Sequence, residues 1–414
     1  MKINIIGGGI IGLFSAYYLQ EAGHEVHIFD KGDFSDGCSF GNAGMITPSH
    51  FIPLAAPGVI AQGMRWMFDT SSPFYIKPRL DLDLAHWLWR FYRSCNQQQA
   101  DAAMPVLLDF NLEGKKLYRE FYHQTGIDFK LEERGILMLY KTAKKEKEEL
   151  ETAEKAATLG IETMHYDHQQ INEFEKGTTV DALGGVYWPS DAHLHPNILM
   201  RHLINLLKNK GAILHKNKSV TNFEKKGNKI TAIYCGNEKY EADATVITTG
   251  SWSALLLKKL GVQLILQDGK GYSITLNQPA ERPQYATLFS EAKVAVTPMG
   301  SDLRFGGTLE LGGLNSSINK NRIKGILDAI PQYYPNIKVE MPAEKNIWRG
   351  FRPVSPDGLP YIGRLKKYDN LIVATGHAMM GVSLAPATGK MVQDIILEKK
   401  VNNNYLIFFN PNRY

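Results

Sequence analysis

The first thirty residues constrain this chain more than any other stretch. KINIIGGGIIGLFSAYYLQEAGHEVHIFD reads as a short buried strand, a glycine turn, a helix stopped at Gly23, and a second strand ending in Asp30. Gly7, Gly9 and Gly12 have GxGxxG spacing. In that frame Gly7 permits the tight turn, Gly9 lets a pyrophosphate approach the backbone, and Gly12 lets helix and strand pack closely. The helix start offers Ile10 and Ile11 N–H groups and a positive dipole end to phosphate. Asp30, beside Lys31, is placed to accept from ribose hydroxyls. A carboxylate there disfavours a 2′-phosphate, so NADP is the least suitable ligand. The unit alone does not choose between FAD and NAD.

The 414-residue chain as a whole narrows the class. It is 44% hydrophobic and 21% charged, which supports a sizeable core. The net charge of +5 is dispersed, and AKKEKEELETAEK mixes both signs, so no nucleic-acid arm is expected. The three cysteines, Cys38, Cys95 and Cys235, form no CxxC pair, and a reducing, cytoplasmic setting is expected. No apolar run is long enough to span a membrane. His193 and His195 in SDAHLHP lack a second ligand cluster, so no metal is expected.

βα-type chain recurs in three pieces. The expected architecture is α/β: a discontinuous Rossmann-like domain of residues 1–60, 160–260 and 345–414, interleaved with a β-rich α+β domain of residues 61–159 and 261–344. The aromatic insertion within 51–95 and the apolar tail NYLIFFNPNRY are expected to cap the second domain or touch a bilayer.

The segments SFGNAGMITPSH, PLAAPG, ATVITTGSWS, GKGYSIT, RPVSPDGLPYIG and ATGHAMMGVSLAPATG, with the N-terminal unit, carry a resemblance across essentially the whole length. The chain resembles the FAD-dependent amino-acid oxidase and dehydrogenase superfamily of D-amino-acid oxidase, glycine oxidase and sarcosine oxidase. It is most similar to the bacterial D-amino-acid dehydrogenase branch, with D-proline and D-hydroxyproline dehydrogenases nearby. The resemblance implies FAD and a glutathione-reductase-like dinucleotide fold of the D-amino-acid-oxidase type. It implies that Ser39, Asn42, Ala43 and Gly44 lie along the flavin, Val220 at the adenine, and Gly250 and Trp252 beneath the cofactor. Gly376, Gly381, Val382 and Ser383 would close over the ring. Some relatives attach FAD through a cysteine. Gly350 stands at that position here, so noncovalent FAD is expected.

Amino-acid oxidation needs a carboxylate held in place, and arginine does this with two parallel N–H···O bonds. The resemblance places that arginine at Arg352. Strand parity agrees, because Arg352 shares a face with Gly350 and Trp348 while Arg349 points away. Tyr272, His377 and His50 are further substrate-side candidates, and Arg304 reads as structural. The expected activity is oxidation of a D-amino acid, with D-proline or D-hydroxyproline included, electrons passing to a quinone or other respiratory acceptor. Peripheral contact with the inner membrane face would accompany such an acceptor. The alternatives are a glycine- or sarcosine-type oxidase using dioxygen, and a non-catalytic flavin electron-carrier subunit.

Overall fold

A computed structural model describes residues 1–57 and 73–414. Its N-terminal half-unit forms as the glycine spacing requires. Strand Lys2–Ile6 runs parallel to Glu25–Phe29 on one side and to Ala244–Ile247 on the other. Leu371–Thr375 and Ile213–His215 extend this sheet in parallel, and Tyr361–Arg364 closes one edge antiparallel. The strands are buried on both faces: helices cover one side, and a three-stranded antiparallel sheet, Asn222–Lys226, Lys229–Cys235 and Glu238–Glu241, covers the other with the short helix Ser253–Lys258.

Helices Ile10–Glu21 and Gly381–Ile396 pack together on one face. Gly389 makes the contact close: a Cβ there would lie 2.6 Å from the carbonyl carbon of Phe14. The long helix Gln97–Thr125 joins them through Leu107, Phe110, Tyr118 and Phe121. Asn96 caps its start, and Gly126 ends it at φ +64°. Tyr118 donates its hydroxyl proton to the Val382 carbonyl at 2.7 Å.

The second sheet is larger. Its order is Trp348–Val354, Gln267–Leu276, Asp302–Leu311, Val294–Met299, Ala286–Phe289, Ile136–Tyr140, Gly184–Trp188 and Met164–Asp167, with Phe74–Ile76 added beside Asp302–Leu311. Helix Lys320–Tyr333 seals its far face through Ile323, Ile326 and Ile330.

Pairing corrects the domain boundaries expected from sequence. Residues 164–167 and 184–188, placed in the dinucleotide part, belong to the second sheet. The fully buried strand Ile136–Tyr140 needs a partner on each edge, and Gly184–Trp188 supplies one. Trp348–Val354 also belongs there, paired with Gln267–Leu276. Conversely, Gln97–Thr125 was assigned to the second domain, but its apolar stripe is buried in the first core. The boundary at 60/61 lies outside the described residues.

Gly389→Ala forces a methyl into the Phe14 backbone and is expected to cost about 1–3 kcal/mol. Chemical denaturation of the parent and variant checks this.

Candidate active site

A cavity of about 1340 Å³ runs from the glycine turn to the face of the second sheet. At the dinucleotide end, Gly7 adopts φ +111°, and a Cβ there would meet the Thr248 carbonyl oxygen at 2.6 Å. Gly12 packs still closer, its imagined Cβ lying 2.0 Å from the Gly7 oxygen. Gly9 differs: its nearest neighbour is Ser39 Oγ at 3.5 Å, and it opens on the cavity. The Asp30 carboxylate accepts from Gly8 N and Gly32 N, both at 2.7 Å, and so braces the turn while facing the cavity. Ser39 Oγ accepts from Ile10 N at 3.1 Å. Apart from that bond to Ser39, the helix from Ile10 has no cap from its own N-cap residue and no acid in its first turn, and the helix from Gly381 has neither. Two positive helix ends with no acid in their first turns therefore face one cavity.

Most of the expected cofactor positions line this space. Gly7, Gly9, Ile10, Ile11, Asp30, Lys31 and Ser39 form the dinucleotide end, and Asn42 and Ala43 lie further in. Val220, Gly250 and Trp252 form an adjoining wall, where the Lys31 ammonium sits 3.3 Å from the Trp252 ring centroid. Gly381 and Val382 close the other side.

Four expected contacts stand behind the wall. Gly12 packs on Gly7. Gly44, at φ +72°, is pressed against the Leu194 carbonyl, which would lie 2.1 Å from a Cβ. Gly376 packs on Tyr361. Ser383 accepts from Thr47 N at 3.0 Å and donates to Asn111 at 2.7 Å, so it ties helices together.

The second sheet forms the floor. Its register sets Trp348, Ser273, Gly306, Ala295 and Leu288 in one row across five strands, all facing the cavity. Small residues dominate the row, leaving depth above the sheet. The loop that carries Asn42 and Ala43 is fastened to this floor. Buried Arg304 donates to the carbonyls of Phe40 at 3.0 Å and Asn42 at 2.8 Å, and Ser273 Oγ donates to Gly41 O at 2.8 Å. Trp348 lies over Gly41 and Gly350, where any Cβ would overlap its ring.

Arg352 lines the cavity, and Arg349 faces solvent. The Arg352 guanidinium lies flat over Gly271, whose imagined Cβ would be 2.0 Å from Nη1. It donates to the carbonyl of Thr308. Thr308 sits in a bulge at φ +64°, a conformation that costs about 1 kcal/mol or more. Among the described residues no carboxylate pairs with Arg352, and burial lowers its pKa to about 10. The remaining donors are available to an anion in the cavity.

Tyr272 borders the cavity, but its side chain is not on the substrate side as expected. Its ring is fully buried on the opposite face of the sheet, in the core under Lys320–Tyr333, and its hydroxyl accepts from Asn319 N at 3.1 Å. Parity explains this: Tyr272 alternates with Gly271, which lies under Arg352, and Ser273, which faces the cavity. His377 reaches the wall, but its Nε2 is hydrogen-bonded to Thr388 Oγ1 at 3.0 Å, and burial pulls its pKa down to about 3. It is a neutral brace between the last strand and helix.

His50 does face the cavity. Its Nδ1 is 3.0 Å from Ser49 Oγ, which donates to buried Asp191. Burial, with Lys293 nearby, lowers the His50 pKa to about 4, and burial raises Asp191 to about 7. Sequence reasoning missed Lys293, Trp348 as a wedge, and an apolar extension lined by Phe74, Ile76, Trp87 and Phe91. None lies in a motif. Lys293 stands just before strand Val294–Met299, at φ +52°, outside the alternation of KVAVTPMG. Cys38 also lines the cavity, its Sγ accepting from Phe351 N at 3.3 Å, and burial raises its pKa.

The residues present fit FAD: a glycine turn open at Gly9, an acid at the second strand, two helix N-termini without an acid in the first turn, and a long apolar slot ending at Arg352. The comparisons agree. Residues 2–395 match the family described as FAD dependent oxidoreductase, and the chain belongs to it. D-amino acid dehydrogenase from Helicobacter pylori is 30% identical over 395 residues, covering 95% of this chain and 94% of that protein. D-amino acid dehydrogenase from Granulibacter bethesdensis is 30% identical over 411 residues, 97% of each. Among solved structures, glycine oxidase from Geobacillus kaustophilus shares the fold with a TM-score of 0.79 at 24% identity, over 100% of this chain and 98% of that one. L-proline dehydrogenase from P. horikoshii does so with a TM-score of 0.74 at 18% identity, over 100% and 97%.

Two substitutions test the geometry. Gly271→Ala displaces the Arg352 guanidinium, and the expected result is retained FAD with an apparent KM raised roughly tenfold or more. Arg304→Met strands the Phe40 and Asn42 carbonyls. A stability loss of about 2–3 kcal/mol and weakened flavin retention on gel filtration are expected.

Proposed function

We propose that this FAD-dependent oxidoreductase oxidises a D-amino acid at Cα, with D-proline and D-hydroxyproline within the substrate class, and passes the electrons to a quinone or similar respiratory acceptor. The observation that carries this reading is Arg352, a cavity-facing guanidinium with no carboxylate partner among the described residues. The relatives named D-amino acid dehydrogenase support the enantiomer and a dehydrogenase rather than an oxidase.

FAD, when bound, supplies the hydride acceptor for the substrate Cα–H. The chain's own part is orientation and shielding. Arg352 holds the substrate carboxylate by charge-assisted bonds, which fixes Cα above the small-residue floor of Ser273, Gly306 and Ala295. Trp348 and Leu288 exclude water along the same row. The amine loses a proton before hydride leaves, and the product is an imine. Water converts a primary imine to a 2-oxo acid and ammonia, whereas a ring imine persists.

Two features support an apolar acceptor. Helix Leu82–Ser94 lines the cavity with Trp87, Leu88 and Phe91, and Trp87 Nε1 donates to the Val354 carbonyl at 2.9 Å. The same helix exposes Trp89 and Tyr92, with Leu80 and Leu82 exposed at its start. No helix among the described residues is long and apolar enough to cross a membrane. A peripheral contact of this helix with the inner face of the membrane, in a cytoplasmic enzyme, is part of the proposal. The share of the 51–95 insertion that falls on 58–72 lies outside the described residues. FAD is proposed to be noncovalent, since Gly350 occupies the attachment position.

Arg352→Ala is expected to keep its FAD and to raise the apparent KM roughly 30-fold or more. Anaerobic bleaching of the flavin band by paired D- and L-amino acids checks this. Unimpaired bleaching by the variant counts against the clamp, and bleaching by L-enantiomers alone counts against the substrate class. In air, slow peroxide release with fast quinone reduction is expected, and stoichiometric peroxide would favour an oxidase. Acid precipitation should release the flavin into the supernatant; flavin remaining with the pellet would indicate a covalent link.

A further inference from the structure

The apolar extension of the cavity begins beside Arg352. Along strand Gln267–Leu276 three alternate residues, Gly269, Gly271 and Ser273, share one face of the sheet. Ser273 belongs to the small-residue floor, and the Arg352 guanidinium lies over Gly271. Gly269, about 7 Å from Gly271 along the strand, pairs with Arg352 on one side and with Leu311 on the other. Two apolar side chains close over it: a Cβ there would lie 2.3 Å from Leu309 Cδ1 and 3.3 Å from Val354 Cγ2. Phe74 pairs with Leu309 and Ile76 with Leu311, which carries the apolar wall one strand outward. The guanidinium thus stands between the small-residue floor and an apolar chamber.

Helix Leu82–Ser94 roofs this chamber. Asp81 caps its start, accepting from Asp83 N and Leu84 N. Arg79 ties that cap to the wall, donating to Asp81 at 2.8 Å, to the Leu311 carbonyl at 2.9 Å and to Gln267 Oε1 at 2.8 Å. Trp87 and Phe91, one turn apart, line the cavity with their rings stacked at 4.9 Å and 14°. Trp87 packs with Leu309, Leu311 and Val354, and its one N–H is committed to the Val354 carbonyl. The neighbouring stripe of the helix, Leu88 and Tyr92, also lines the cavity yet is 36% and 67% exposed. These two residues form a lip over which the apolar surface passes from the chamber to the outside, where Leu82 and Trp89 are exposed. An amino-acid zwitterion gains nothing from such a lip, whereas a flat apolar ring with an apolar tail gains burial along its whole length.

We infer that this chamber is the acceptor site: the ring of a lipophilic quinone lies between the Trp87–Phe91 pair and the wall of Leu309 and Val354, and its tail leaves over Leu88 and Tyr92. The inference rests on the reading of this enzyme as a quinone-reducing dehydrogenase and adds where the quinone binds. The quinone takes two electrons and two protons from the reduced cofactor and leaves as the quinol, which restores the oxidised cofactor. Amino acid and quinone occupy opposite sides of Arg352, so the two compartments can be altered separately.

The test uses the FAD-loaded protein and a decyl-substituted benzoquinone. Irradiation with the azido derivative of that quinone, followed by peptide mapping, should label residues within 74–92. In a second arm the flavin is reduced with stoichiometric dithionite, so that no amino acid is needed, and its anaerobic reoxidation by the decylbenzoquinone is followed. Leu88→Glu puts a charge on the lip and should lower that second-order rate constant at least about tenfold with FAD content unchanged. Leu88→Met, which keeps the lip apolar, should restore it. Label confined to other segments, or reoxidation of Leu88→Glu at the parent's rate, overturns the inference alone. A parent that takes no label anywhere, and is reoxidised by dioxygen but not by the quinone, overturns the dehydrogenase reading with it.

Discussion

The site depends on the fastening of one loop to a sheet that does not otherwise belong to it. Arg304 and Ser273, from neighbouring strands of the second sheet, donate to the three consecutive carbonyls of Phe40, Gly41 and Asn42. That loop leaves the dinucleotide sheet just after Asp30. These bonds, with those from Trp348 to the Gly37 carbonyl and from Phe351 N to Cys38, set the separation of the glycine turn and the small-residue floor. With them, one cavity joins the phosphate-binding turn to Arg352. A guanidinium buried for this purpose has lost its water, and the carbonyls and Thr275 that replace it make the contact directional.

Glycines then set the depth. Gly271 lets Arg352 lie against the backbone, and Gly41 and Gly350 hold Trp348 between them. Each is a place where a methyl group would collide with a side chain that shapes the cavity. The strained Thr308 belongs to the same device, since its bulge turns a carbonyl toward Arg352 and leaves the other guanidinium donors free. An anion-binding group is thus held in place before the anion arrives.

Much of this was legible in the sequence because local rules sufficed. The glycine turn, Asp30, and the parity that separates Arg352 from Arg349 follow from spacing within one element. The failures were non-local. Parity alone places Tyr272 opposite Gly271, but only the register between strands shows which face is the cavity. Gly44, Gly376 and Ser383 lie in motif segments, yet their partners are Leu194, Tyr361 and Asn111, distant in sequence. The domain boundaries moved for the same reason: a buried strand at 136–140 recruits 184–188, which no local pattern announces. Lys293 escaped notice because an isolated lysine in a hairpin resembles any solvated one.

The central claim is that Arg352 receives a substrate carboxylate over this floor. A crystal structure of the FAD-loaded protein with a non-reactive 2-hydroxy acid tests it most directly. Both carboxylate oxygens are expected within about 2.7–2.9 Å of the Arg352 guanidinium nitrogens, with the ligand lying between Trp348 and Leu288. A carboxylate bound elsewhere in the cavity, with Arg352 engaged only with the Thr308 carbonyl, would contradict it.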